Sequence, residues 1–261
     1  MRHKHTAFNV TATILLAAFA IACVPGGAAA AYRHEKTSEV VIPRDGAGRL
    51  FVRTMIGDVV IVGSAEATDL SLRIVKKVEA EDEEKAKEIA EEIEVRIDND
   101  GEEILVHAEI PENRRKDVSI FNFVFRRRLQ IDLTLELTVP ADLDVEIETA
   151  SGDVTAGDLA GRLETTSASG DLEVARIGGE VELETASGDI VVERAAGDVR
   201  IGTASGDIDV DGVGGDLVVS SATGDIDLEC ITGDLSLSTI SGDVGVDGVR
   251  GVSFTLSLIH I

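Results

Sequence analysis

The residues best placed to do chemistry in this chain are acidic and periodic. Glycines stand nine residues apart without a break from Gly152 to Gly251, and the next residue is aspartate at Asp153, Asp171, Asp189, Asp198, Asp207, Asp216, Asp225, Asp234 and Asp243. Carboxylates repeated this closely can hold a divalent cation, share a proton, or accept backbone N–H groups. Asp207, Asp209 and Asp211, followed by Gly212, match the opening of an EF-hand loop and are the candidate calcium ligands. Position 12 of that loop is Val218 instead of a bidentate glutamate, and strand alternation alone also places acids at every second residue. Aspartates one strand spacing apart, about 4.8 Å, repel by roughly 1 kcal/mol in water. Backbone N–H donors in the corner would offset this, and so would a bound cation. An acid–base pair needs two carboxylates in unlike surroundings, whereas these acids follow the lattice. His3, His5, His34, His107 and His260 form no ligand-spaced pair, and no nucleophile elbow, phosphate loop or zinc-type cysteine pair occurs. The expectation is a protein that is not an enzyme and has no cofactor, with calcium as the one alternative.

The elements that carry these residues are strands. Two and four residues after each glycine the chain is apolar, as at Ile190 and Val192 or Val199 and Ile201, which is the alternation of a strand with one face inward. Every second unit opens on a hydroxyl-Ala-hydroxyl-Gly-Asp corner, such as Thr185 to Asp189. The alternate corners put Leu159, Ile177, Val213, Ile231 or Val249 at the alanine position. The true repeat is therefore 18 residues, two nine-residue units with unlike corners. The predicted fold is mainly β: a parallel β-solenoid over residues 141–252, whose like corners stack. The paired hydroxyls, among them Thr185/Ser187 and Thr203/Ser205, would form two columns, an array that can order water or simply bond within the corner.

Residues 32–140 read as a β-rich capping region with one short helix over 82–95, where Ala86, Ile89, Ala90 and Ile93 share a stripe. A solenoid needs such a cap to cover its first coil. Within it, Arg114-Arg115-Lys116 and Arg126-Arg127-Arg128 bracket Phe121, Phe123 and Phe125. Phe121, Phe123, Phe125, Arg126, Arg127 and Arg128 are the candidate membrane contact; period-2 packing of the three Phe on the cap explains the same spacing. Residues 1–31 have the charged start, apolar stretch (Val10 to Ala22) and small-residue tract of an export leader. Ala22-Cys23 also resembles a lipoprotein cleavage site, which makes 1–22 the leader and Cys23 a lipidation candidate. Both readings place the protein in the periplasm, the cell envelope or on the cell surface.

The net charge is −25, and residues 141–251 hold 25 acidic against 5 basic side chains. This excludes nucleic acid as a partner, because phosphate binding needs a cationic face. The run from Leu137 to Val154, with Ala150-Ser151-Gly152-Asp153 and the Ser-Gly-Asp units that follow, resembles a bacterial family of exported β-strand repeat proteins classed as adhesins by shape, without an assigned function. The resemblance covers roughly residues 48 to 252. It implies a β-solenoid at the envelope, in some cases linked with envelope-stress systems, and it supplies no catalytic residues. The expected function is an exported scaffold binding an unknown protein or glycan, with membrane association through a lipid anchor. The alternatives are a calcium-dependent β-roll-like module and a membrane-proximal stress-sensing module. Residues 253–261 depart from the lattice and resemble translated adapter sequence, so an irregular tail is expected there.

Overall fold

The computed structural model describes residues 15–17, 32–109, 130–251 and 253–258. Among them the element order begins β1 (Leu15–Ala17), β2 (Tyr32–Ile42), β3 (Arg49–Thr54), β4 (Asp58–Ser64), β5 (Leu70–Ala80), α1 (Glu83–Glu92), β6 (Glu94–Asn99), β7 (Glu103–Glu109), β8 (Gln130–Pro140) and β9 (Asp144–Thr149). The repeat continues as β10 (Val154–Gly157), β11 (Leu163–Ser167), β12 (Leu172–Ile177), β13 (Val181–Thr185), β14 (Ile190–Ala195), β15 (Val199–Ser205), β16 (Ile208–Val213), β17 (Leu217–Thr223), β18 (Ile226–Ile231), β19 (Leu235–Ser241), β20 (Val244–Asp247) and β21 (Phe254–Leu258). Even-numbered strands from β10 to β20 line one sheet and odd-numbered strands from β9 to β21 line the other.

Each coil contributes one strand to each sheet, and the register advances by 18 residues. Val154 lies opposite Leu172, Leu172 opposite Ile190 and Leu163 opposite Val181, all parallel. The inward side chains are β-branched residues and leucine, such as Ile190, Val192, Leu217 and Leu235, each at most 1 % exposed. Their burial is the main stabilising term of the rod.

The corners show why glycine recurs every nine residues. Gly188 has φ +131°, and a Cβ there would lie 2.1 Å from the carbonyl oxygen of Gly170 in the coil below. In the alternate corner, a Cβ on Gly197 would lie 2.4 Å from the carbonyl oxygen of Gly179. Two columns of glycine thus let one corner settle directly on the next.

The coil lattice extends below residue 141, where the sequence placed its start. Strands β3 and β4 pair in parallel with β9 and β10, with Leu50 opposite Val145 and Val59 opposite Val154. The Thr54 hydroxyl donates to the Ile56 carbonyl, the bond made by Ser167, Thr185, Thr203 and Ser221 in later coils. On their other side β3 and β4 pair in parallel with β7 and β8. Residues 49–64 therefore form a coil held between two coils that come later in the chain.

The end is closed by antiparallel strands. Strand β5 pairs with β8, β2 pairs with β5 along its whole length, β1 pairs with β2, and β6 pairs with β7. Helix α1 packs on β2 and β5 through Ala86, Ile89 and Ala90. It is shorter than expected, because Ile93 is already extended (φ −70°, ψ 114°). Asp82 Oδ1 accepts the Lys85 N–H at 2.7 Å and caps its start. The Lys76 ammonium, reaching from β5, donates to the Ile93 carbonyl at its other end. Burial pushes the Lys76 pKa down, and Lys36 adds to the effect.

The expected irregular tail is also corrected. Strand β21 pairs in parallel with β19, with Leu235 opposite Phe254, a step of 19. One extra residue after Gly251 shifts the phase, and the alternation of Phe254, Leu256 and Leu258 then resumes the strand.

Two stability outcomes follow from this packing. Gly188→Ala should lose at least about 3 kcal/mol in urea unfolding, from forbidden backbone and a clash with backbone. Gly202→Ala, whose Cβ meets nothing nearer than the Glu184 Cγ at 3.9 Å, should be neutral or gain up to about 1 kcal/mol. Equal effects of the two would contradict the stacking account. Thr165 is the second case: it is 1 % exposed with an unpartnered Oγ1, between Ile147 and Leu183 in the core. Thr165→Val should raise stability by about 1–2 kcal/mol in the same assay.

Candidate binding surface

The aspartates that open each corner form a hydrogen-bonded ladder. Asp153 N–H donates to Asp58 Oδ1 at 3.1 Å, Asp171 to Asp153 at 2.9 Å, Asp189 to Asp171 at 2.9 Å and Asp207 to Asp189 at 2.9 Å. Asp225 and Asp243 continue it, donating to Asp207 at 2.8 Å and Asp225 at 2.9 Å. The opposite corner runs Asp198, Asp216, Asp234 and Ser253 in the same way. Each carboxylate holds the coil that follows it, and these charge-assisted bonds offset the repulsion between neighbours.

The calcium candidates are divided by this arrangement. Asp207 accepts the Asp225 N–H in the corner, whereas Asp209 and Asp211 stand exposed on β16, opposite Asp227 and Glu229 of β18. Among the described residues no group of three or more His, Cys, Asp or Glu is placed to hold a metal ion. Cys23, Phe121, Phe123, Phe125, Arg126, Arg127 and Arg128 lie outside the described residues. The stretch 110–129 joins β7 to β8, where the equivalent turn between β9 and β10 takes only residues 150–153.

The two hydroxyl columns do not share a surface. Thr185 and Thr203 are buried, and each donates to the carbonyl two residues on at 3.1 Å. Ser187 and Ser205 are exposed. A flat two-column array for ordering water is therefore not formed, because the strand's alternation sends one column into the core.

The outward faces of the two sheets differ. On the sheet of odd-numbered strands, Arg49 pairs with Glu146, Arg53 with Glu148, Arg162 with Glu182 and Arg200 with Glu180. Beyond these, Gly202, Val218, Ser220, Ser236 and Ser238 carry no charge. The other sheet ends in Asp209, Asp211, Asp227, Glu229 and Asp247.

One column was not foreseen from the sequence. Asp158, Arg176, Arg194, Gly212, Cys230 and Gly248 occupy one slot of the alternate corner, all with left-handed backbone, φ between 57° and 84°. Their side chains have nothing in common, so only the glycine pair Gly212 and Gly248, two coils apart, could have marked the slot. Cys230 is a free, exposed thiol there. Arg176 grips Asp158 with two bonds, 2.5 Å to Oδ1 and 2.7 Å to Oδ2. The pair holds the Asp158 carboxyl below its ordinary pKa and the Arg176 guanidinium above its own. Beside this column runs an open groove of about 430 Å3.

A rod of 18-residue coils with two stacked corner columns and one capped end is a parallel β-solenoid. The chain belongs to the Toastrack DUF4097 family, whose sequence profile matches residues 48–257. No curated protein matches it. Solved structures similar to it include a putative adhesin from Bacteroides fragilis NCTC 9343, at 14% identity and TM-score 0.48, covering 85% of this chain and 97% of that one. A putative cell adhesion protein from Clostridium sporogenes ATCC 15579 is 11% identical with TM-score 0.34, covering 88% of this chain and 100% of that one. No helix among the described residues is long and apolar enough to cross a membrane.

The ladder is open to a direct check. Asp189→Ala removes the acceptor for the Asp207 N–H and should cost about 1 kcal/mol of unfolding free energy. Asp189→Asn keeps an acceptor and removes a charge from the column, so at low salt its stability should equal or exceed the parent's. A loss equal to that of the alanine variant would mean the charge itself, not the hydrogen bond, is what the corner needs.

Proposed function

We propose that this protein is a non-catalytic exported scaffold whose rod presents repeating side chains to a protein or glycan partner at the cell envelope. The observation that carries the reading is the register. Alanine, serine and aspartate recur at one-rung spacing along a corner, so a partner with a matching repeat meets the same surface several times over. The corner aspartates, Asp207 among them, act as acceptors for the neighbouring coil, which gives these acids a structural role that needs no chemistry. Export through the leader, with release near Ala31 or lipidation at Cys23, would place the rod where such a partner is reached. A calcium-dependent form draws its support from the exposed acids of β16, β18 and β20. A membrane-sensing form draws its support from the basic and aromatic residues of 114–128.

The test is to titrate the labelled chain onto intact bacterial cells, with calcium in excess or chelated. Saturable binding that is the same in both conditions is the expected result. Binding that appears only with calcium would support the β-roll-like form instead, and linear, non-saturable retention would remove the scaffold reading.

A further inference from the structure

We propose that the groove beside the alternate corner binds the carboxylate of a uronic acid in a glycan chain, through Arg194 and Arg176. The inference rests on the scaffold reading and names the class of its partner. It comes from a break in the repeat. In the left-handed column, Arg176 (φ 57°) reaches one rung down and holds the Asp158 carboxylate with its guanidinium fork. Arg194 has the same backbone conformation (φ 61°) and the same place in the next coil. One rung below it stands Arg176 instead of an acid. Arg194 is exposed and makes no ion pair or hydrogen bond with any described residue. Among the described residues of the rod, Arg162, Arg176 and Arg200 are paired to carboxylates; Arg250, in the last coil, is the other arginine there whose side chain is not.

Arg176 is balanced by Asp158, with Glu193 adding to the effect, whereas Arg194 one rung on has no such partner, and neither arginine sits on backbone that its side chain favours. In the same slot two later coils use glycine, Gly212 and Gly248, which the conformation suits. Arginine is retained on this backbone with its guanidinium unpaired, and an incoming carboxylate would supply the missing partner. The guanidinium fork matches that group with two parallel bonds, as the Arg176–Asp158 pair displays.

The groove selects the carrier of the carboxylate. It crosses three coils and is lined by Asp158, Arg176 and Arg194 together with the small residues Ala160, Gly178 and Ala196. Leu159 and Ile177 beneath it are 2 % exposed and the groove is open and shallow, so it offers no enclosed pocket for an anchoring side chain of a peptide. A sugar ring can lie against the small residues with its carboxylate on Arg194. The 25 acidic side chains of residues 141–251 repel a densely charged polymer. A glycan with scattered uronates, among otherwise neutral sugars, suits the rod.

The experiment is an amide NMR titration of the full chain with methyl glucuronoside, its neutral methyl ester, and a Gly-Glu-Gly peptide. The glucuronoside should shift the amides around Arg176, Arg194 and Ala196, with the ester and the peptide each about tenfold weaker. Arg194→Gln should weaken the glucuronoside about tenfold, while Arg200→Gln, which removes a paired arginine on the sheet face, should leave it unchanged. No shift at the groove, equal binding by acid and ester, tighter binding by the peptide, or an Arg194→Gln variant that matches the parent would each overturn the proposal. If the glucuronoside fails while the chain still binds cells saturably, this inference falls and the scaffold reading stands.

Discussion

Everything in the rod depends on the contact between each corner glycine from Gly152 to Gly251 and the carbonyl of the residue one coil below, a glycine everywhere except Leu143 beneath Gly161. Where glycine stacks on glycine the approach leaves no room for a side-chain carbon, as the 2.1 Å and 2.4 Å distances at Gly188 and Gly197 establish. Because the corners close to that distance, the flanking strands fall into hydrogen-bonding register and the inward residues of successive coils meet. Burial of Ile190, Val192, Leu217 and their neighbours supplies the energy, but the corner spacing decides where that burial occurs.

The aspartates add direction to this stack. A carboxylate in one coil bonds the N–H of the aspartate 18 residues on, so the acid that gives the protein its charge also fastens its coils. This separates two roles that composition confounds. The corner acids are structural, whereas Asp209, Asp211, Asp227 and Glu229 on the sheet face fasten nothing between coils. The left-handed column that starts at Asp158 departs from both patterns, and there the side chains vary from coil to coil while the backbone stays constant. Variation on a fixed frame is how a repeat protein differentiates a surface without disturbing its core.

Much of this was legible in the sequence, for physical reasons that can be named. The glycine spacing and the period-2 apolar residues gave the 18-residue coil, and Ala86, Ile89 and Ala90 marked the helix stripe. Strand β2 was not legible, because Arg33, His34, Glu35 and Lys36 interrupt any apolar alternation. The coil at 49–64 announced itself only through Gly57-Asp58-Val59, since the excursion before Gly152 breaks the period. Strand β21 was hidden by one inserted residue. The Arg176–Asp158 grip is compatible with the 18-residue coil but did not stand out, because the residues that fill this slot from coil to coil follow no common pattern.

The coil formed by β3 and β4 has a consequence for how the molecule is assembled. It is translated before β7 and β8, yet it comes to rest between them and β9 with β10. Winding cannot simply proceed from the amino end, as it could in an array where each repeat stacks on the one made before it. Residues 49–64 must wait, with both strand edges open, until partners as far along as Val145 and Val154 have emerged. Such distant pairing slows closure of the capped end, whereas the coils beyond it need only partners 18 residues away.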